Sequence, residues 1–135
     1  MHRVYLGLGS NMGNREALLQ QAMTLIDERV GDVTRRSSLI ETEPWGFQSQ
    51  NRFLNAVVCC ETELSPRQLL HETQQIERLL GRKRKTVSQY ADRPIDIDIL
   101  LYDDLTVDEP DLEIPHPLMY ERDFVMIPLK EIYNN

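Results

Sequence analysis

The residues order themselves into an α+β pattern. Strand-like runs lie at 4–8, 33–40 and 53–60, period-two alternation of Ile95, Ile97 and Ile99 with Asp96 and Asp98 marks a fourth strand, and two stretches between them carry apolar residues at helical spacing. Both helical stretches open on strong start signals, Asn14 and Ser65-Pro66. The resulting order is strand–helix–strand–strand–helix–strand, with further strand expected near the end. That order predicts a ferredoxin-like antiparallel sheet with helices packed on its faces. At 135 residues the chain is expected to form one domain, 1–135, long enough to bury a core.

The first strand, Val4 to Leu8, reads as buried from its Val/Tyr/Leu content. Gly7-Leu8-Gly9-Ser10-Asn11-Met12-Gly13 follows, and its glycines run G-x-G-x-x-x-G. That is neither the dinucleotide fingerprint nor a P-loop, and it predicts a tight strand-to-helix turn instead. Asn14 caps a helix whose stripe is Ala17, Leu18, Ala22, Leu25 and Ile26, ending near Gly31-Asp32. Val33 to Ile40 is the second strand, broken by Glu43-Pro44-Trp45-Gly46, and Phe53 to Cys60 is the third. After Ser65-Pro66, Leu69, Leu70, Thr73, Ile76 and Leu80 form the second helical stripe, with Gly81 as its stop. Residues 108–113 read as a loop or short edge strand, and Phe124 to Leu129 as a last strand.

Charge narrows the function. A formal net charge of −7 argues against a general nucleic-acid or acidic-membrane binder. The basic clusters Arg35-Arg36 and 82–85 stand out on that background and suit a small anionic ligand. No window is apolar enough to span a membrane, and the start of the chain has no signal-peptide pattern. Cys59 and Cys60 are adjacent, without disulfide or zinc-ligand spacing, and fit reduced structural thiols in a cytoplasmic protein.

The chemistry concentrates in Arg93-Pro94-Ile95-Asp96-Ile97-Asp98-Ile99. On a strand Asp96 and Asp98 project from one face, with Cα atoms roughly 6.5–7 Å apart, and the isoleucines project from the other. Two such carboxylates can share hard cations, and Mg²⁺ prefers one or two carboxylates plus substrate phosphates. Taken alone, the pair also fits a half-exposed strand with solvated acids. The cations Arg82, Lys85, Arg93 and Arg122, together with His116 held between Pro115 and Pro117, favour a metal–polyphosphate ligand. Gln74 and Glu77 share a helical face and either point at that ligand or form solvated surface. Trp45, Phe53, Tyr90 and Phe124 are candidates to sandwich a flat ring, with Asn55 bonding its polar edge; core packing is the alternative for each. The set fits phosphoryl or pyrophosphoryl transfer without a P-loop or kinase signature.

These residues resemble the 6-hydroxymethyl-7,8-dihydropterin pyrophosphokinase family from about Val4 to Leu129. Its matching pieces are Leu8-Gly9-Ser10-Asn11, Phe53-Leu54-Asn55-Ala56, Thr73-Gln74-Gln75-Ile76-Glu77, Gly81-Arg82-Lys83-Arg84-Lys85, the Arg93–Ile99 stretch and Ile114-Pro115-His116-Pro117. The resemblance implies that ATP gives its β,γ-pyrophosphate to the pterin hydroxymethyl oxygen and leaves as AMP. It implies that Asp96 and Asp98 hold two Mg²⁺, with Arg82 and Arg93 beside them as catalytic cations. Arg82, Arg84, Lys85, Arg93, His116 and Arg122 would grip the phosphates, and Gln74 and Glu77 would lie along the nucleotide. Thr42, Pro44, Trp45, Phe53, Asn55 and Phe124 would form the pterin slot, with Tyr90 near a loop position that closes over it. ATP and the pterin are then the expected partners of a monomer that binds no nucleic acid and no membrane.

Three positions depart from the family pattern: Asp92 beside Arg93, Pro117 after the histidine, and Asp111 where a basic residue can occur. Two other readings compete. A nucleotidyltransferase or nuclease could use the same Asp-x-Asp pair, and a silent ferredoxin-like module could bind a small effector without turnover. The polar segment from Arg82 to Asp92 is expected to be a mobile lid.

Overall fold

The computed structural model describes residues 1–43, 51–82 and 92–133. The elements in chain order are β1 (His2–Ser10), α1 (Arg15–Arg29), β2 (Gly31–Arg36), β3 (Ile40–Thr42), β4 (Phe53–Thr62), α2 (Pro66–Leu79), β5 (Asp96–Tyr102), β6 (Val107–Glu109), β7 (Leu112–Ile114) and α3 (Asp123–Ile132). The main sheet runs β2-β4-β1-β5 with β3 also on β4, and every neighbouring pair is antiparallel. Counting β2 and β3 as one broken second strand, this is the predicted ferredoxin-like order.

Both predicted caps are made. Asn14 Oδ1 accepts from Ala17 N at 3.2 Å, and Ser65 and Gln68 close a reciprocal capping box ahead of Pro66. The buried stripe of α1 is Leu19, Ala22, Met23 and Ile26, turned slightly from the predicted one, so that Ala17, Leu18 and Leu25 sit at its margin. In α2 the stripe is Leu69, Thr73, Ile76 and Glu77. Both helices pack on one sheet face, on the even residues Val4, Leu6 and Leu8 of β1 and on Ile97 and Ile99 of β5.

The other face departs from the sequence reading. Residues 124–129 are not a strand but part of α3, whose Val125, Pro128, Leu129 and Ile132 pack on Tyr5, Val57, Cys59 and Leu100. A six-residue apolar run is compatible with either element, and the spacing 125, 128, 129, 132 is helical only once Ile132 is counted. Pro128 also lacks the N–H a central strand needs. The predicted second strand is likewise split, because Ser37 leaves the ladder: its N–H donates to Val57 O at 2.9 Å while its Oγ accepts from Val57 N at 2.8 Å.

Residues 107–114 form a two-stranded hairpin, held to the start of α2 by Arg67, which pairs with both Glu109 and Asp111. Cys59 and Cys60 are free and buried, and burial first, then Cys59, pushes the Cys60 thiol up to about 12. That makes Cys60 an unreactive core residue, as its neighbours in sequence suggested. Among the described residues no helix is long and apolar enough to cross a membrane.

Candidate active site

Strand register assembles the site. Asp96 of β5 lies opposite Gly9 of β1, and Gly9 lies opposite Asn55 of β4; one step along, Asp98 faces Gly7. Asn55, Gly9 and Asp96 therefore form one row across three strands, with the outer two roughly 10 Å apart by strand spacing. Phe53, two residues before Asn55, projects from the same face. A cleft of about 580 Å³, including its open mouth, sits over this row, with Thr42 and Glu43 at one side and Arg122, Phe124 and Val125 at another.

The two glycines are the floor. A Cβ on Gly9 would stand 3.1 Å from Asn55 Oδ1 and 3.5 Å from the Phe53 ring, and one on Gly7 would meet Leu100 at 3.4 Å. Glycine inside a strand often marks a close approach, and here it keeps the middle of the row open. Gly13, with φ at +75°, makes the turn into α1. The G-x-G-x-x-x-G run thus holds the expected turn at its last glycine, while its first two shape the cleft. That second role was not anticipated.

The acceptor side is built by hydrogen bonding and stacking. Asn55 is 3% exposed, and its Nδ2 donates to Thr42 Oγ1 at 2.7 Å, which restrains the side chain. The Arg93 guanidinium carbon lies 5.7 Å from the centre of the Phe53 ring, and that of Arg122 lies 5.5 Å from Phe124, both within cation–π range. Glu43, absent from the expected set, pairs with Arg52 at 2.8 Å at the cleft edge.

Asp96 sits between two cations. Arg82 Nη1 donates to Asp96 Oδ1 at 2.6 Å, and Arg93 Nη1 lies 3.6 Å from Asp96 Oδ2. Burial alone would lower the Arg82 pKa, but the charges of Asp96 and Glu77 outweigh it and the net shift is upward. Glu77 is placed differently from the expectation that it lines a nucleotide. It is 4% exposed, and its Oε2 accepts from Arg82 Nη1 at 2.9 Å and from Ile97 N at 2.8 Å. The α2 stripe turns it inward, behind the metal-type pair, where it holds Arg82 and β5. Gln74, one turn earlier, is half-buried on α2 and does not line the cleft.

His116 also lies outside the cleft lining. Its N–H donates to Leu100 O at 3.1 Å along the outer edge of β5, after the cis Ile114–Pro115 bond. Its Nδ1 accepts from Leu118 N at 3.3 Å, so in the neutral ring Nε2 carries the proton and is the donor. The cleft thus gathers Thr42, Phe53, Asn55, Arg93, Asp96, Asp98, Arg122 and Phe124 of the expected residues, with Arg82 joined through Asp96. Pro44, Trp45, Arg84, Lys85 and Tyr90, with most of the expected lid, lie outside the described residues.

Comparison with known proteins gives the family. The model of the 7,8-dihydro-6-hydroxymethylpterin-pyrophosphokinase (HPPK) family matches residues 5–134. The 2-amino-4-hydroxy-6-hydroxymethyldihydropteridine pyrophosphokinase of Porphyromonas gingivalis is 53% identical over 131 residues, covering 96% of this chain and 89% of the relative. The chain belongs to the HPPK family. The Bacillus subtilis pyrophosphokinase of the same name is 46% identical over 129 residues, covering 95% of this chain and 76% of that one. The crystal structure of Plasmodium falciparum HPPK-DHPS wild type with SDX-DHP superposes with a TM-score of 0.78 at 18% identity, which supports the fold. The match covers 98% of this chain and 40% of that one.

Of the residues expected to depart from the family pattern, Asp92 and Asp111 have partners nearby. Asp92 accepts from Asn11 Nδ2 at 2.6 Å and from Asn51 Nδ2 at 3.0 Å, so two amides take up its charge beside Arg93. Asp111 is bound by Arg67, whose hydrogen bonds hold its pKa below the usual carboxylate range. The HPPK reaction, pyrophosphoryl transfer to hydroxymethyldihydropterin in folate synthesis, is the activity of this family member.

Proposed function

We propose that the cleft takes MgATP on its arginine-rich side and the pterin between Phe53 and Phe124, with Asn55 at its polar edge. The pterin hydroxymethyl oxygen attacks the β-phosphorus of ATP, the bond from Pβ to the α,β-bridging oxygen breaks, and AMP leaves with that oxygen. The hydroxyl proton passes to solvent or to Asp98. The observation that carries this reading is the row Asn55–Gly9–Asp96, which supports a ring-recognising amide and a carboxylate pair on one open floor.

Each residue has a part in that reading. Asn55 offers its amide edge to the pterin while the bond to Thr42 restrains its side chain. Phe53 and Phe124 supply aromatic faces, and Arg93 and Arg122 lie against them, next to where phosphate charge must be held. Arg82, already anchored by Glu77, balances charge at Asp96. Asp96 and Asp98 offer oxygen donors only, which suits Mg²⁺, a cation that keeps few protein carboxylates and completes its shell from phosphates and water. Bound there, Mg²⁺ neutralises charge on the triphosphate. Two ions fit the family resemblance, and residues 1–135 serve as one catalytic domain, working as a cytoplasmic monomer.

Product analysis tests the reaction. With ATP, Mg²⁺ and 6-hydroxymethyl-7,8-dihydropterin, AMP and pterin diphosphate are expected to appear in equal amounts. ADP with a pterin monophosphate, or free pyrophosphate from ATP, would overturn the proposal.

A further inference from the structure

Asn11 is 1% exposed and lies just past β1, beneath the segment that carries Arg93. Its contacts fix its own orientation. The Arg93 backbone N–H can only donate, and it meets Asn11 Oδ1 at 2.7 Å, so the Asn11 amide NH₂ must face the other way. That NH₂ meets Asp92 Oδ1 at 2.6 Å, a partner that can only accept when ionised. Asn11 N in turn donates to Arg93 O at 3.2 Å, which holds the 92–93 backbone at both ends of one residue. The second carboxylate oxygen of Asp92 accepts from Asn51 Nδ2 at 3.0 Å, and Asn11 Nδ2 lies 3.4 Å from Asn51 O. Three segments far apart in sequence are therefore joined through one carboxylate. All three bear cleft residues: Gly9 stands two residues before Asn11, Phe53 two residues after Asn51, and Arg93 follows Asp92.

We propose that Asp92 is a positioning residue, which ties Asn51 to Asn11 and so sets the Arg93 guanidinium between Phe53 and Asp96. The Arg93 guanidinium lies 5.7 Å from the Phe53 ring centre and 3.6 Å from Asp96, and the backbone it reaches out from is held at its N–H and its carbonyl by Asn11. The tie supplies that hold at the backbone, and through Asn51 it places the same hold on the strand that carries Phe53. An acid beside a phosphate-binding arginine would otherwise weaken anion binding. With both oxygens aimed at amide donors, its charge is used for placement instead. This role rests on the proposal that Arg93 binds the nucleotide phosphates.

The test compares Asp92→Ala, Asp92→Asn, Asn51→Ala and the double variant Asp92→Ala/Asn51→Ala. Binding of a non-hydrolysable ATP analogue with a methylene between the α- and β-phosphorus is measured with Mg²⁺, alongside kcat and KM for MgATP and the ligand-free unfolding midpoint. Loss of charge-assisted hydrogen bonds of this kind is expected to weaken the analogue about tenfold in Asp92→Ala and roughly threefold in Asn51→Ala. The double variant should bind no more weakly than Asp92→Ala, because both changes break one tie. KM for MgATP should rise in step while kcat changes less, and Asp92→Asn should fall between parent and Asp92→Ala. Analogue affinity within twofold of the parent in Asp92→Ala, or additive effects in the double variant, would overturn the role. If Asp92→Ala unfolds, Asn51→Ala decides alone, since Asn51 is exposed and its truncation leaves the core untouched. A parent protein that binds the analogue poorly would instead sink the assignment of Arg93 to the phosphates, a separate failure.

Discussion

Removing the Glu77 carboxylate gives the sharpest stability prediction. Its side chain is 6% exposed and it serves two donors, the Arg82 guanidinium and the Ile97 N–H. Glu77→Ala takes one of its partners from the largely buried Arg82 and the side-chain acceptor from the buried Ile97 N–H at the start of β5. Breaking a buried ion pair by deleting one partner costs about 3–5 kcal/mol. Arg82 keeps Asp96 as a partner at 2.6 Å, which places the expected cost at the lower end, about 3 kcal/mol. Glu77→Gln keeps one oxygen for Ile97 N and loses the charge, so about 1.5–3 kcal/mol is expected. In a domain of this size each kcal/mol moves the thermal midpoint by roughly 3–5 °C, so Glu77→Ala should melt roughly 10 °C or more below the parent. Urea unfolding followed by far-ultraviolet circular dichroism reads the cost directly. Gln74→Ala, one turn away and half-buried, is the control and should stay within about 0.5 kcal/mol. A Glu77→Ala cost below about 1 kcal/mol would refute the reasoning, because the residue would then be acting as the solvated helix surface its sequence position also allowed.

Other outcomes follow from the same geometry. Gly9→Ala pushes a methyl to 3.1 Å from Asn55 Oδ1, so pterin affinity measured by equilibrium fluorescence should drop about tenfold while nucleotide affinity holds. Equal loss for both ligands would mean that the floor is shared. Asp103, at φ +48°, caps the start of β1 through Arg3 N at 2.7 Å and His2 Nδ1 at 2.7 Å. Burial pushes its pKa up, but those hydrogen bonds prevail and hold it below the ordinary value. A depressed carboxylate contributes stability that is present above its unfolded pKa, about 4, and is lost as pH falls through the folded value. Asp103→Asn, which tolerates the same backbone, should therefore be less stable than the parent at pH 7 by under about 1 kcal/mol. That gap should close below about pH 4; a gap that widens on acidification would contradict the assignment.

Legibility in the sequence followed the strength of local signals. Asn14 and Ser65-Pro66 named two helix starts because a cap is a contact between near neighbours. The alternation Ile95, Asp96, Ile97, Asp98, Ile99 placed both carboxylates on one face, and Leu100, next on that same face, packs on the α3 side. Residues 124–129 were misread because six apolar residues carry too little period to separate strand from helix, and Pro128 was the available warning. Glu77 looked like a surface acid because polarity alone assigns it to solvent. Its burial depends on Arg82 and on the Ile97 N–H, a pairing across α2 and β5 that no local pattern encodes. Gly7 and Gly9 were visible but read as a turn, since which strand lies opposite a glycine is fixed only by sheet register. The Asn11–Asp92–Asn51 tie was hidden for the same reason, its members standing 40 and 81 positions apart from Asn11.

The central claim is that Asp96 and Asp98 form the centre of pyrophosphoryl transfer, with Arg82 and Arg93 placed around Asp96. The most direct measurement is the steady-state rate of AMP and pterin diphosphate formation in Asp96→Asn, beside its pterin affinity and unfolding midpoint. The account predicts a rate at least about a hundredfold below the parent, with pterin still bound and the fold intact, since Glu77 keeps hold of Arg82. A rate within tenfold of the parent at saturating Mg²⁺ would contradict it and move the reacting centre away from this pair.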